Sequence, residues 1–383
     1  MSGPLAGLRV VEFAGQGPTP LAGMFLADLG ADVIRVDRAA ATTWRTSAPA
    51  DDVFGRGRRS VALNLKDPRA TELALCLIEQ SDVLIEGFRP GVMERLGLGP
   101  QVCLDRQPRL VYGRMTGWGQ VGPLATTAGH DINYLALSGA LHAIGGKDGP
   151  PVPPLNLVAD GGGGGVLLAF GIVSALHAAE KTGRGQIVDA AMVDGVAALM
   201  GPFYTAAATG KWGPRGTNLV DGGAPFYAVY ETADGQYIAV GALEPEFYRE
   251  LLKRLGLTGF APSEQMDRAQ WPALRAAMAA VFATRTRDDW ASEFDGVDAC
   301  VTPVLSPAEA PAHPHHAARG AFVDIGGRPN PRPAPRFDTT QPADPGPAPA
   351  VGEHTVAVLT ELGLTPAEIA DAEQSGITAQ PTV

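Results

Sequence analysis

The segments LRVVEF (residues 8–13) and GQGPTP (residues 15–20) decide the fold, because an apolar run leads directly into a tight glycine- and proline-rich turn. From about Thr19 to Leu29 the apolar residues recur on one helical face, and residues 32–37 return as a second apolar run. Strand, turn, helix and strand in this order form a βαβ unit. The pattern predicts the first crossover of a parallel sheet.

The alternation continues along the chain, with strands predicted at 61–65, 82–87 and 110–115 and a helix at 70–80. It predicts an α/β fold: a large Rossmann-like domain with a mostly parallel sheet and helices on both faces. A hairpin signal at 226–240, followed by helical patterns at 246–255 and 271–283, indicates a smaller α+β domain.

A chain of 383 residues is longer than one hydrophobic core usually serves. We assign 1–200 to the large domain, completed by C-terminal helices in 350–383, and 221–320 to the small domain. Residues 201–220 are a predicted linker, and the proline-rich stretch 321–349 is a predicted return linker. The apolar segment 166–180 predicts a buried helix, shorter than the roughly 20 residues that span a bilayer.

The composition argues against several classes of protein. A net charge of −11 disfavours nucleic acid and anionic membranes as partners. Three cysteines without CxxC spacing, and no signal-peptide pattern, favour a reducing, cytoplasmic location without disulfides or zinc. The histidines at 313, 315 and 316 have no acid or cysteine at ligand spacing, so no metal site is expected.

Two proton-carrying side chains stand thirty positions apart. His130 lies in GHDINY (129–134), and Asp160 ends NLVAD (156–160), just before five glycines. An imidazole and a carboxylate on opposite sides of one carbon could remove a proton from one face and return it to the other. A lone histidine is more often a core or surface residue, and an aspartate before glycine more often caps a turn or helix, so spacing leaves both readings open.

Arginines concentrate in the first 90 residues. Arg38 and Arg89 each follow a predicted strand, where open α/β sheets bind ligands, and predict a phosphate pocket. Arg56, Arg58 and Arg59 belong either to that pocket or to a solvated basic surface. The first turn also approaches a dinucleotide fingerprint, but Pro20 stands where its third glycine belongs, which favours a purely structural turn.

Longer sequence motifs show a resemblance to a known family, which the spacing of His130 and Asp160 alone does not reveal. They include LIEGFRPGV (84–92), GWGQVGP (117–123), PLNLVAD (154–160) and DGGAPFY (221–227). From Leu5 to about Pro335 the chain resembles the family III CoA-transferases. GHDINY is more selective and resembles the racemase branch of that family.

The resemblance implies the family III CoA-transferase fold, an interlocked homodimer and interconversion of (R)- and (S)-2-methylacyl-CoA thioesters. His130 and Asp160 match the acid/base pair, and Glu244 resembles a supporting acid that arrives from the partner subunit. No cofactor is implied, since CoA is part of the substrate. The matching CoA or thioester contacts are Arg38, Leu63, Asn64, Leu65, Lys66, Gly129, Asp131, Ile132, Asn133 and Tyr134, with Arg89 as an extension of the same pocket.

Two alternatives stay open. Asp160 could attack the thioester as the nucleophile of a CoA-transferase, or the chain could bind CoA thioesters without catalysis.

In addition, the family commonly has an aromatic residue after the catalytic acid, where this chain has Gly161. The five glycines therefore predict a loosened Asp160. For an enolate intermediate, the backbone N–H of Asp131 is the candidate oxyanion donor.

Overall fold

The structure is a computed structural model in which residues 2–39 and 51–381 are described. Residues 1, 40–50 and 382–383, which the predicted large domain includes, lie outside the described residues. The described chain divides into two compact units. The first comprises Met1–Ser138, Leu155–Leu199 and Pro314–Val383, and the second comprises Gly139–Pro154 and Met200–His313.

A seven-stranded sheet forms the centre of the first unit as described. All neighbouring strands are parallel, except that the strand Thr378–Ala379 pairs antiparallel with the strand Arg59–Leu63. The predicted α/β fold with a mostly parallel sheet is confirmed. The sheet order is β12-β3-β2-β1-β4-β5-β6, with bounds β1 Arg9–Phe13, β2 Asp32–Arg38, β3 Arg59–Leu63, β4 Val83–Glu86, β5 Val111–Thr116, β6 Gln186–Ala191 and β12 Thr378–Ala379.

The opening βαβ unit follows from local residue chemistry. Val11 and Ile34 have no exposed surface, as expected for parallel strands covered on both faces. Helix α1, Pro18–Asp28, begins at a proline, which lacks the N–H that a first helical turn leaves unpaired. Gly17 precedes it at φ 62°, a left-handed conformation that glycine adopts without strain.

Helices cover the sheet, and the C-terminal segment returns to it. Val358, Ala372 and Ile377 belong to the same buried cluster as Val61 and Leu63 of β3. The first unit also contains a short hairpin within the predicted return linker, formed by β10 Phe322–Ile325 and β11 Arg328–Pro331. Its remaining helices are α2 Pro68–Glu79, α3 Val92–Arg95, α4 Pro100–Arg106, α5 Asp131–Leu137, α7 Leu167–Thr182, α8 Met192–Leu199, α13 Pro314–Arg319, α14 Thr355–Glu361 and α15 Pro366–Gln374.

The glycine run after Asp160 is helical, although glycine has a low helix propensity. Residues Leu157–Val166 form a π-helix that continues directly into α7. The predicted burial of 166–180 is wrong for one face, because Phe170 is 67% and Val173 40% exposed. The side chains that do pack inward, such as Leu168 and Ile172, recur at helical spacing.

The continuous helix Leu157–Thr182 changes the length argument about membranes. Its 26 residues are long and apolar enough to cross a bilayer by length and composition alone. The helix predicted from the sequence begins at residue 166 and therefore excludes the helical glycines. One such helix is weak evidence, since core helices of soluble proteins pass the same test.

The second unit is α+β, as the hairpin signal predicts. Its three-stranded antiparallel sheet packs against helices around an aromatic core that includes Phe226, Trp271 and Phe282. The structure differs from the predicted boundaries in that 139–154 belongs here and the predicted linker contains a helix, 201–208. Bounds are α6 Ala140–Ala143, α9 Gly201–Ala208, β7 Tyr227–Glu231, β8 Tyr237–Gly241, α10 Pro245–Arg254, α11 Trp271–Phe282, α12 Arg287–Glu293 and β9 Val301–Pro303.

Candidate active site

A cavity of about 510 Å³ opens at the carboxyl ends of the central strands of the first unit. The strand order reverses between β1 and β4, and open α/β sheets bind ligands at such a switch point. The cavity is lined by segments that directly follow β1, β4, β5 and β6, together with the His130 loop and the Asp160 helix. These lining residues are Gln16–Thr19, Gly87–Pro90, Met115–Trp118, Ala125, Thr127–His130, Tyr134, Asn156, Asp160 and Met192.

His130 is exposed and stands at the N-terminal end of α5. Its backbone N–H donates to Oδ1 of Asn133 at 3.0 Å, and its carbonyl accepts from the Asn133 N–H at 2.8 Å. These reciprocal bonds fix the direction in which the chain enters the helix. The backbone of His130 is therefore held while its side chain borders the cavity.

Tyr134 secures the loop before His130. Its hydroxyl donates to the carbonyl of Gly129 at 2.5 Å, and its ring meets the ring of Trp118 edge to face at 4.7 Å between centroids. A Cβ on Gly117 would lie 2.2 Å from the tyrosine ring, so glycine is required for this approach. The glycine–tryptophan motif at 117–119 therefore supports the loop that carries His130.

Asp160 lies in the first turn of the π-helix and is half-buried. Its Oδ2 accepts a hydrogen bond from Nδ2 of Asn156 at 3.3 Å. A Cβ on Gly17 would lie only 3.1 Å from the same oxygen, so Gly17 leaves room for the carboxylate beside the start of α1. The structure thus brings His130 and Asp160 to one cavity.

The pKa of the Asp160 carboxyl is raised. Burial is the main cause, and the negative charge of Asp131 adds to it, while the Asn156 hydrogen bond and the proximity of His130 oppose it. Raising the pKa favours the neutral acid. Asp160 is therefore better suited to donate a proton than an aspartate in water.

The glycines after Asp160 serve close packing. A Cβ on Gly163 would lie 2.9 Å from the backbone nitrogen of Val196, and one on Gly195 would lie 2.0 Å from the carbonyl oxygen of Gly163. The π-helix and α8 therefore touch backbone to backbone. Gly161 is different, because the nearest atom to its Cβ position is 3.7 Å away.

Arg56 and Arg58 are neither phosphate ligands nor surface residues, which corrects both readings left open for them. Arg56 pairs with Asp28 at 2.6 Å and Arg58 with Glu12 at 2.7 Å, and all four side chains are at most 2% exposed. Arg59 bonds Asp32 at 2.6 Å beside them. The sequence signal failed because opposite charges far apart in the chain meet only in the fold.

The profile of CoA-transferase family III matches residues 5–355. The chain belongs to CoA-transferase family III. The alpha-methylacyl-CoA racemase of Mus musculus is 48% identical over 369 residues, covering 95% of each chain. That of Homo sapiens is 47% identical over 373 residues, again covering 95% of each. A CAIB/BAIF family protein from Brucella suis, 27% identical, superposes with a TM-score of 0.82 over 94% of this chain and 100% of its own.

The positions predicted to hold CoA in this family lie at the same edge of the sheet. Arg38 ends β2 opposite Leu63, which ends β3, and both Arg38 and Lys66 are exposed. The side chain of Leu63 is in the core, and Asn64 donates to the carbonyl of Gly376, so those side chains are already occupied. Arg89 lines the cavity and forms no ion pair with the described residues.

Glu244 belongs to the second unit, where it precedes α10 and is exposed. It is not among the described residues that line the cavity. Ile132, also predicted to contact substrate, is 44% exposed on α5, whereas Asp131 is buried. Within 2–39 and 51–381, no group of three or more His, Cys, Asp or Glu is arranged to hold a metal ion.

Sequence reasoning missed several residues of the family III cavity. Asn156 bonds Asp160 directly, and its position four residues earlier in a helix was the available signal. The sequence of residues 16–19 predicts only a structural turn, yet these residues form a wall of the cavity. The backbone bonds that Asp131 accepts could not be found from sequence, because they join segments nearly thirty residues apart.

Proposed function

We propose that this protein is a racemase that interconverts (R)- and (S)-2-methylacyl-CoA thioesters. The observation that carries the proposal is the presence of an imidazole and a carboxyl with a raised pKa at one cavity, at the switch point of the sheet. Near full-length identity of 47–48% to the alpha-methylacyl-CoA racemases of mouse and human supports it.

The chemistry is proton transfer at the carbon next to the thioester. In one direction neutral His130 removes the α proton, the C–H electron pair moves into an enolate, and protonated Asp160 returns a proton to the opposite face. The reverse direction begins with imidazolium and carboxylate. Both states hold the same number of protons. The raised pKa of Asp160 supports its role as the acid.

The enolate oxygen needs a hydrogen-bond donor. The backbone N–H of Asp131 is at the first position of α5, where helices leave N–H groups without an intrahelical acceptor. It adjoins His130 in the chain and is the donor that we assign. One such donor typically contributes about 2.7–4 kcal/mol to transition-state stabilisation.

The CoA part of the substrate is assigned to the arginine-bearing edge of the sheet. Arg38, Lys66 and Arg89 are exposed cations at the carboxyl ends of β2, β3 and β4. Phosphates pair well with such side chains. The backbone of 63–66 and the 129–134 loop complete the proposed contact surface, and no separate cofactor is required for this reaction.

A homodimer and a cytoplasmic location complete the proposal. Large apolar side chains of the first unit remain exposed, as expected on a surface that a partner subunit covers. Among them are Leu137 at 63%, Phe170 at 67%, Ile187 at 48% and Leu199 at 54% exposure. In a dimer of this kind, Glu244 of the partner would be the supporting acid for His130. Light scattering of the purified protein tests the stoichiometry.

The function is tested by solvent deuterium uptake. The enzyme and each enantiomer of a 2-methylacyl-CoA are incubated in deuterium oxide without a second carboxylic acid, and mass and optical purity are followed. We expect one deuterium at the α carbon together with loss of optical purity, and neither in a His130→Ala, Asp160→Ala double variant. Unchanged uptake in that variant contradicts the proposal. A hydroxylamine-sensitive adduct on Asp160, with His130 dispensable, would instead identify a CoA-transferase.

A further inference from the structure

The carboxylate of Asp131 is buried and takes no part in the proposed reaction, which uses only the backbone N–H of this residue. Its side chain is 7% exposed, and its Oδ2 accepts hydrogen bonds from the backbone N–H of Ala159 at 2.9 Å and of Asp160 at 2.8 Å. Such bonds to a charged acceptor are stronger than neutral ones. The side chain thus faces the backbone of the segment that carries Asp160.

The two bonds supply acceptors for N–H groups at the start of the π-helix. Ala159 and Asp160 are in the first turn of the π-helix, where N–H groups have no acceptor inside the helix. Asn156, the residue before the helix, makes no side-chain cap bond to it. Asp131, in the first turn of α5, supplies the missing acceptor with its side chain. It therefore caps the N-terminus of the π-helix.

We propose that Asp131 is a positioning residue that fixes the backbone of Asp160 relative to the backbone of His130, its own neighbour in the chain. The inference rests on the proposed function, because it matters for rate only if both groups must reach one carbon. A shift of about 1 Å in such a pair can lower a rate by about 100-fold.

The second oxygen of the same carboxylate argues against a merely structural role. Oδ1 of Asp131 is buried and has no hydrogen-bond partner within 2–39 and 51–381. A buried acceptor without a hydrogen-bond partner lowers the stability of the fold. The negative charge of Asp131 nevertheless acts on the site, because it raises the pKa of Asp160.

Few other charges act on Asp160. His130 and Asp131 of the α5 segment are the charged groups that shift its pKa. The other elements packed against the π-helix add little. Helix α1 contains only Asp28, which is paired with Arg56, while α8 contains only Asp194 and β6 only Asp189, both exposed. Tyr134 of α5 is uncharged, because burial raises the pKa of its hydroxyl to about 12. The ionisable residues of α7, His177, Glu180 and Lys181, lie toward its far end. Removing the charge of Asp131 should therefore be visible in the pH dependence.

Two substitutions separate geometry from charge. Asp131→Asn keeps an oxygen that can accept both N–H groups but removes the charge, whereas Asp131→Ala removes both. We expect kcat to fall about 100-fold in Asp131→Ala with KM within about threefold, and to fall less than about 10-fold in Asp131→Asn. The matched control is Thr365→Ala, which deletes a cap bond to Glu368 N–H of α15 in the same unit; its kcat should be unchanged.

The pH profile supplies a readout that a structural role would not move. Without the charge of Asp131 the pKa of Asp160 falls, so the arm of the kcat/KM profile that reports loss of its proton moves to lower pH in Asp131→Asn. A kcat within threefold of the parent in folded Asp131→Ala overturns the proposal, and so does an unmoved arm in Asp131→Asn. If Asp131→Ala does not fold, the asparagine variant decides alone.

Amide hydrogen exchange separates this inference from the proposed function. The peptide containing Ala159 and Asp160 should exchange faster in Asp131→Ala than in the parent, and the same peptide should be unaffected in Thr365→Ala. This measurement needs no substrate. Unchanged amide exchange in Asp131→Ala refutes the positioning role of Asp131 even if the enzyme is a racemase. If the parent enzyme shows no α-proton exchange with solvent, the proposed function alone is refuted.

Discussion

Two sets of charged side chains in the first unit differ in their surroundings. At β1 and at the end of α1, the pairs Glu12–Arg58 and Asp28–Arg56 are almost completely buried, and the partners of each pair bond at 2.6–2.7 Å. At the carboxyl edge of the same sheet, His130 and Arg89 are exposed and Asp160 is half-buried beside an open cavity. The difference indicates that burial with an ionic partner serves folding, while charge at the cavity is left for a ligand.

The largest expected effect is on catalysis. Asp160→Asn keeps the shape of the side chain but cannot exchange a proton, so the rate at which one enantiomer is converted into the other should fall about 1,000-fold, within the range for general acid–base groups. The loss of optical purity is followed at saturating substrate. Retention of more than a tenth of the parent rate would place the chemistry elsewhere.

The same variant has a predicted effect on stability. Because the folded-state pKa of Asp160 is raised, its ionisation disfavours the folded state as the pH rises through and above the unfolded-state pKa. Asp160→Asn should therefore raise the melting temperature at pH 7 more than at pH 4. An equal shift at both pH values would show that the pKa is not responsible.

The buried set should respond in the opposite manner. Arg58→Met leaves Glu12 buried without its cation and should lower the free energy of unfolding by about 3–5 kcal/mol. The loss should be greater at pH 8 than at pH 5, since Glu12 can take up a proton more readily in acid. Urea unfolding measures the loss, and uptake per folded molecule should change little. A comparable loss in Arg89→Met would remove the distinction between the two sets.

Arg89→Met tests the exposed cation directly. We expect KM to rise about 10-fold with kcat nearly unchanged, because a phosphate contact contributes equally to ground and transition states. The difference in KM should shrink as the ionic strength rises, since exposed charges are screened. Arg184→Met, at an exposed arginine outside the cavity, is the control. An unchanged KM in Arg89→Met would exclude this residue from CoA binding.

The smallest effects separate packing from chemistry within the helix that carries Asp160. Gly163→Ala should lower the free energy of unfolding by about 1–3 kcal/mol, because its Cβ would meet the backbone of α8. Gly161→Ala meets no close atom and should raise it by about 0.5–1 kcal/mol. Urea unfolding of both variants measures the contrast. Equal effects would show that α8 does not require Gly163.

Much of the fold could be predicted from local patterns. The opening βαβ unit and the hairpin of the second unit were read correctly, since apolar periodicity and turn residues lie within short windows. The burial of 166–180 could not be predicted in full, because composition shows that a helix is apolar but not which of its faces packs against another element. The helical conformation of the glycine run is not predicted for a similar reason: helix propensity disfavours glycine, and contacts with α8 and α1 stabilise the helix there.

The sequence alone determined the alternation of strands and helices and the residue types that can move a proton. Those properties depend on near neighbours and on side-chain chemistry. Only the tertiary structure decided that His130 and Asp160 border one cavity, that Arg56 and Arg58 are neutralised by Asp28 and Glu12, and that Asp131 faces the backbone of Asp160. Each of these contacts joins residues about thirty or more positions apart, where charge, burial and distance are set by how the sheet and helices pack.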